Sequence, residues 1–140
     1  TGVQTCALPI SRIWCRMAVE KINPPVPRAL LLLAEIEEQM GNKEKGLDYY
    51  EQLLHADLVP GIQDAVLLAA ARLRFEKQDL SQTLAHLAKI QNPEDHTKIF
   101  TVVTAYLLGD HDTGKRYYQM LSQPMRRKVN DVAGNHPAYQ

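Results

Sequence analysis

Gly41-Asn42-Lys43-Glu44-Lys45-Gly46-Leu47-Asp48-Tyr49-Tyr50-Glu51-Gln52-Leu53 returns later in the chain as Gly109-Asp110-His111-Asp112-Thr113-Gly114-Lys115-Arg116-Tyr117-Tyr118-Gln119-Met120-Leu121. Two glycines, a tyrosine pair and a leucine keep their internal spacing across an offset of 68 residues. That offset is twice the roughly 34-residue period of a helix–turn–helix repeat array. Each copy opens with Gly-Asn or Gly-Asp, residues that tolerate the left-handed conformation in which helices end. Each then carries a second glycine five residues on, inside the next helix, where glycine costs roughly 1 kcal/mol against alanine. A cost accepted twice at one place predicts a position where two helices approach closely.

Working outward, Pro24, Pro25 and Pro27 stop what precedes them, and Pro27 suits the first position of a new helix. Leu30, Leu33, Ala34, Ile36 and Met40 then fall at helical spacing over residues 28–40. A second helix is expected over 44–56, with Leu47, Tyr50, Leu53 and Leu54 on one stripe, and Pro60-Gly61 is read as closing the unit. Residues 64–76 are Ala/Leu-rich and predict a buried helix. Gln78-Asp79 takes the turn place of Gly41-Asn42, with Asp79 as N-cap and Gln82 in capping-box position. The helix that follows runs to about Ile90. Turn-to-turn steps of 37 and 31 residues displace this middle hairpin while keeping the total. Asn92-Pro93-Glu94-Asp95 reads as cap, proline at N1 and acids at the positive end of a helix over 95–108. A return helix is expected over 113–122, then a short one over 125–132 before Gly134-Asn135-His136-Pro137.

Composition agrees with an all-α reading. The 140 residues are 45% hydrophobic but only 6% aromatic, enough apolar matter for a core and little of what sheets favour. Sixteen basic and sixteen acidic residues leave no net charge, which argues against nucleic acid or an acidic membrane as the main partner. The apolar runs at 29–34 and 65–71 are far shorter than the roughly 20 residues that span a bilayer. A cytoplasmic location is the expectation. Residues 1–11, Thr-Gly-Val-Gln-Thr-Cys-Ala-Leu-Pro-Ile-Ser, resemble the conceptual translation of a sequencing adapter. They are expected to be foreign to the protein and are set aside from fold reasoning, leaving Cys15 without a disulfide candidate. Residues 12–26 are then the remnant of an earlier repeat or a linker, 27–124 three hairpins, and 125–140 a terminal helix and tail of what is expected to be a fragment of a longer protein.

On these residues the chain resembles the tetratricopeptide repeat family. The family's small residues at the helix crossing, its turn glycine and its second-helix aromatic correspond to Ala34 with Gly46, Gly41 and Tyr50. In the third hairpin they correspond to Val102 with Gly114, Gly109 and Tyr118, and in the middle one to Ala71 with Thr83, Gln78 and Leu87. The resemblance implies antiparallel hairpins stacked as a short α-solenoid, with a binding groove lined by the first helix of each hairpin. Its groove positions select Arg28, Leu31, Glu35 and Glu38, then Leu68, Arg72 and Phe75, then His96, Ile99, Val103 and Tyr106. Leu31, Leu68 and Val103 serve packing between repeats equally well. The basic-and-asparagine clamp of tail-binding relatives is lacking, so an extended or helical segment with an apolar anchor is the expected ligand.

Chemistry is poorly represented. Asp110-His111-Asp112 has carboxylates and an imidazole, but neighbours on a turn point apart and no zinc spacing accompanies them. Turn and capping roles account for the two aspartates. Cys15 and the histidines lie far apart in sequence. The tyrosine pairs could stack on bases, but one member of each falls on the apolar stripe, and Lys115-Arg116 with Arg126-Arg127-Lys128 reads as a solvated basic face. No catalytic, cofactor-binding or metal-binding residue is expected. The expected function is a protein–protein interaction scaffold that binds another protein or peptide, neither nucleic acid nor membrane. The alternatives are a docking or regulatory segment of an enzyme whose catalytic domain lies elsewhere and, behind it, a helical nucleic-acid-binding protein.

Overall fold

The computed structural model describes the backbone of residues 2–21 and 26–133 and the side chains of residues 10–21 and 26–131. The stop expected at Pro24-Pro25 and the tail from Gly134 lie outside the described residues. Eight helices and no strand occur among them: α1 (Gly2–Lys21), α2 (Pro27–Gln39), α3 (Lys43–Leu53), α4 (Pro60–Glu76), α5 (Leu80–Ala88), α6 (Asp95–Leu108), α7 (His111–Gln119) and α8 (Gln123–Ala133). The chain is all-α, as composition and periodicity require. It divides into two compact units between Leu73 and Arg74, inside α4.

The three turns expected at Gly41, Gln78 and Gly109 are the three places where the described backbone has positive φ, at 86°, 62° and 85°. All three carry the same hydrogen bonds. The left-handed residue donates its N–H three residues back, Gly41 to Glu38, Gln78 to Phe75 and Gly109 to Tyr106. The residue after it donates five back, Asn42 to Glu37, Asp79 to Arg74 and Asp110 to Ala105, at 2.8–2.9 Å. These bonds satisfy carbonyls that a helix end leaves open. At Gln78 a Cβ adopts a conformation that glycine takes freely, at a cost of roughly 1–2 kcal/mol. Gln78→Gly is therefore expected to raise the stability of the chain by about 0.5–1 kcal/mol, after the greater freedom of glycine in the unfolded chain is deducted. Urea unfolding midpoints of the two proteins check this, and a lower midpoint for the glycine variant contradicts it.

Helix starts follow local chemistry, with two departures. Asp79 accepts from the Gln82 N–H at 3.4 Å, and Asp110 accepts from the Thr113 N–H at 3.2 Å and from its hydroxyl at 2.8 Å. The hydroxyl bond and then the backbone bond from Thr113 hold the Asp110 carboxyl below its usual range. This cap contributes stability above the ordinary carboxylate range and loses it as pH falls through the lowered value. The first departure is Pro60-Gly61, expected to close a unit but found opening α4, with Pro60 at the first helical position. Proline punctuates either end of a helix, and the Ala/Leu run behind it is good enough to begin there. The second is at α6, where Glu94 and not Asn92 occupies the N-cap, with no side-chain cap bond, so Pro93 stands outside the helix.

In the first unit, α1 packs on α2, and α2 forms an antiparallel pair with α3. Leu30, Ala34, Leu47, Tyr50, Leu53, Val66, Ala69, Ala70 and Leu73 bury one core, and Cys15, Leu33 and Ile36 a second beneath α1. Gly46 lies at the α2–α3 crossing, where an added Cβ would stand 3.1 Å from the Ala34 carbonyl oxygen. The pairing of Ala34 with Gly46 is thus a close approach of two backbones, as the sequence predicts. α1 runs unbroken across the junction after Ser11 at which the leader was set aside.

In the second unit, α6 pairs with α7 and also packs on α5 and α8. Val102, Tyr117, Leu121 and Val129 form its core, with Ile99, Tyr106, Tyr118 and Met125 packed against them. The tyrosine pairs differ between copies. Tyr50, second of its pair, is buried, whereas in the later copy the first member, Tyr117, is buried and Tyr118 only half-buried. Tyr118 instead donates its hydroxyl to Asn130 Oδ1 on α8 at 3.2 Å. In α6 the buried Thr101 and Thr104 donate their hydroxyls to the carbonyls four residues back, at 2.8 Å, so a β-branched helix interior leaves them no unmet polar group.

Candidate binding surface

Leu31, Leu68 and Val103 aside, the residues expected to line a groove fall four in each unit, and the structure gives them different duties. In the first unit Arg28 and Glu35 are exposed on α2. Glu38, one turn further on, accepts the Tyr50 hydroxyl at 2.9 Å on one oxygen. Its other oxygen stands 3.6 Å from Arg72 Nη1. One carboxylate thereby ties α2 to α3 and α4. Burial above all, then the hydrogen bond to Glu38 and the charges of Glu38 and Glu35, push the Tyr50 phenol well above its ordinary value. The phenol therefore stays neutral as donor, and the stability it contributes is lost only as pH climbs past its free value. Glu38 and Arg72 thus brace the first unit, and Arg28 and Glu35 are its freer polar positions.

In the second unit His96 is exposed at the start of α6, 3.3 Å from Glu94. Ile99 and Tyr106 pack against the α6–α7–α8 core. Phe75 is half-buried and meets Phe100 edge to face, with ring centroids 5.3 Å apart at 81°. Aromatic pairs prefer this arrangement, which sets a positive ring edge on a negative face. Phe75, Glu76, Gln78, Leu80 and Leu107 line an open, largely apolar recess beside the Gln78 turn. Leu107 is 52% exposed at its edge. The structure therefore joins Phe75 with Leu80 and Leu107 around this recess, while Tyr106 faces the core cluster. Leu107 was passed over in the sequence, although it lies eleven residues after His96 and four after Val103, on the same side of a 3.6-residue helix.

The most buried charged group was also missed. The side chain of Glu37 is wholly buried on α2. It accepts from Arg12 Nε of α1 and from Asn42 Nδ2 at 2.7 Å, with Arg16 Nη2 at 4.0 Å. The signal for it was present: Leu30, Leu33, Ala34 and Glu37 form an i, i+3, i+4, i+7 series that puts the glutamate on the buried stripe. Beside it Cys15 is buried among Leu33 and Ile36, and burial raises its thiol. A raised thiol is a poor nucleophile at neutral pH.

Among the described residues no group of three or more His, Cys, Asp or Glu side chains is placed to hold a metal ion, and no helix is long and apolar enough to cross a membrane. Asp110, singled out with His111 and Asp112, is the cap of α7. In the basic cluster, Arg116 lies over Tyr117 at 5.6 Å and Arg126 over Tyr118 at 5.5 Å. Lys115, Arg127 and Lys128 are exposed. Compared with protein-family models, with curated proteins and with solved structures, the chain matches none.

Proposed function

We propose that the chain is a protein–protein interaction module of tetratricopeptide-like helical hairpins, with no reaction of its own. The observation that carries this reading is the recess of the second unit. Its apolar walls, Phe75, Leu80 and Leu107, stay open to solvent while the charged side chains nearest the cores are engaged in bracing and capping. Leu107 offers an exposed anchor point, and Phe75 is held by Phe100 so that little side-chain freedom is lost on contact. An apolar side chain from an extended or helical segment of a partner fits such a recess. The repeated turn geometry at Gly41, Gln78 and Gly109 supports the repeat reading on which this rests.

Selection of displayed peptides on the immobilised chain, followed by affinity measurement with Leu107→Glu, tests the proposal. Peptides sharing an apolar anchor are expected, and the charge at the recess edge should weaken them at least about tenfold, or about 1.4 kcal/mol. Because Leu107 is exposed, the variant should keep its far-UV circular dichroism. Peptides that bind the variant equally well would place the binding surface elsewhere. Salt-dependent binding of random RNA would favour the nucleic-acid reading instead.

A further inference from the structure

We infer that the chain forms a two-fold symmetric dimer in which α1 of one copy lies antiparallel against α1 of a second. Ile10, Ile13, Trp14 and Met17 are spaced i, i+3, i+4, i+7, so they share one face of this helix. They are 61%, 59%, 67% and 45% exposed. The opposite face is already used, since Cys15 and Val19 pack on α2, and Arg12 and Arg16 approach Glu37. A helix apolar on both sides requires two neighbours. The first unit supplies one, and Trp14, the chain's one tryptophan, stands out on the other side. By contrast α8 turns polar residues outward, with Arg127, Lys128 and Asp131 exposed.

A second copy is the occupant that this face fits. Antiparallel pairing about a two-fold axis sets Ile10 opposite Met17 and Ile13 opposite Trp14, each contact made twice, as an isologous interface requires. In that register Glu20 and Lys21 fall beside residues 7 and 6 of the other copy, within a segment that carries no charged residue. No like charges meet across the seam. Parallel pairing would set Lys21 beside Lys21 and Glu20 beside Glu20, which is unfavourable. Four large side chains from each copy, with their neighbours, remove on the order of 1,000 Å² from water, about the lower bound for a specific interface. Three of the four, Ile13, Trp14 and Met17, follow Ser11, so most of the stripe lies outside the leader set aside from the sequence.

Sedimentation equilibrium of the full chain decides the matter, with concentrations reaching on the order of 100 µM. The expected mass rises from 15.8 kDa toward twice that value, and Trp14 emission shifts to the blue along the same concentration course. Trp14→Glu/Met17→Glu should remain monomeric throughout with unchanged helix content, because both side chains project into solvent in the single copy. Leu32→Glu, which alters an exposed apolar residue of α2, should dimerise as the wild type does. A chain that stays monomeric at the highest concentration overturns the proposal and leaves the face to a helix of another protein. A dimer that survives the double substitution overturns it as well.

Discussion

Replacing Arg12 and Arg16 together by methionine is expected to lower the unfolding free energy by about 3–5 kcal/mol, toward the lower end of that range. The cost comes from what is left behind. Glu37 has no exposed side-chain surface, and without the two guanidinium groups its charge keeps only the Asn42 amide. Stranding a buried charge costs more than the intact pair contributes, because the attraction is lost while the desolvation penalty stays. Methionine preserves the unbranched stem, so the loss is mainly electrostatic. The cost has a ceiling, since α1 can lift from α2 and admit water to the carboxylate once that is cheaper. Helix content should then fall by part of α1 before the remainder unfolds. Arg12→Met alone should cost less, because Arg16 already stands 4.0 Å from the same oxygen and can close on it. Adding Glu37→Gln to the double variant should recover more than half the loss by removing the stranded charge. Urea unfolding of wild type, the double arginine variant, Glu37→Gln alone and the combined variant forms a cycle that isolates the coupling. A double variant within about 1 kcal/mol of wild type, or no recovery from the glutamine, would show that the carboxylate is hydrated in solution.

That network marks where sequence reading stopped short. The glutamate sits on an apolar stripe, and a groove reading that selects its neighbours Glu35 and Glu38 passes over it. Its partners could not be read from local spacing, for Arg12 lies 25 residues upstream in another helix. It also follows directly on the leader set aside as foreign, and the same exclusion hid the apolar outer stripe of α1. Glu38 illustrates a related limit: its engagement by Tyr50, twelve residues away, depends on how α2 and α3 meet. The turns, by contrast, were legible because backbone conformation there is a local property. Even Gln78 declared itself, through the capping aspartate behind it and its place in the repeat. Helix starts at proline were less certain, since the same residue suits a stop before it and a start upon it. Of the proposed recess, the half-buried Phe75 is also selected by family position, while its meeting with Leu107 follows only from the end of α4 and the α5 start sharing that recess with α6.

Gly46→Leu is expected to lower the unfolding free energy by about 1–3 kcal/mol relative to Lys45→Leu, its exposed neighbour on α3. The distances decide the size. A Cβ at Gly46 meets the Ala34 carbonyl oxygen at 3.1 Å and the Glu38 amide nitrogen at 3.4 Å, both main-chain atoms of α2. A rotamer change cannot relieve contact with a backbone, so α2 must move as a whole. Glycine to alanine gains about 1 kcal/mol of helix propensity, which offsets much of that first clash, and Gly46→Ala should fall near wild type. Leucine gains about the same propensity but adds three carbons with no space between the helices. Pushing α2 away also stretches the Glu38 contacts to Tyr50 and Arg72, which spreads the strain over the first unit. The loss should therefore appear in urea midpoints and in faster amide hydrogen exchange across α2 and α3 together. Equal midpoints for Gly46→Leu and Lys45→Leu would mean that these helices part without cost, and close approach would no longer explain a glycine inside α3.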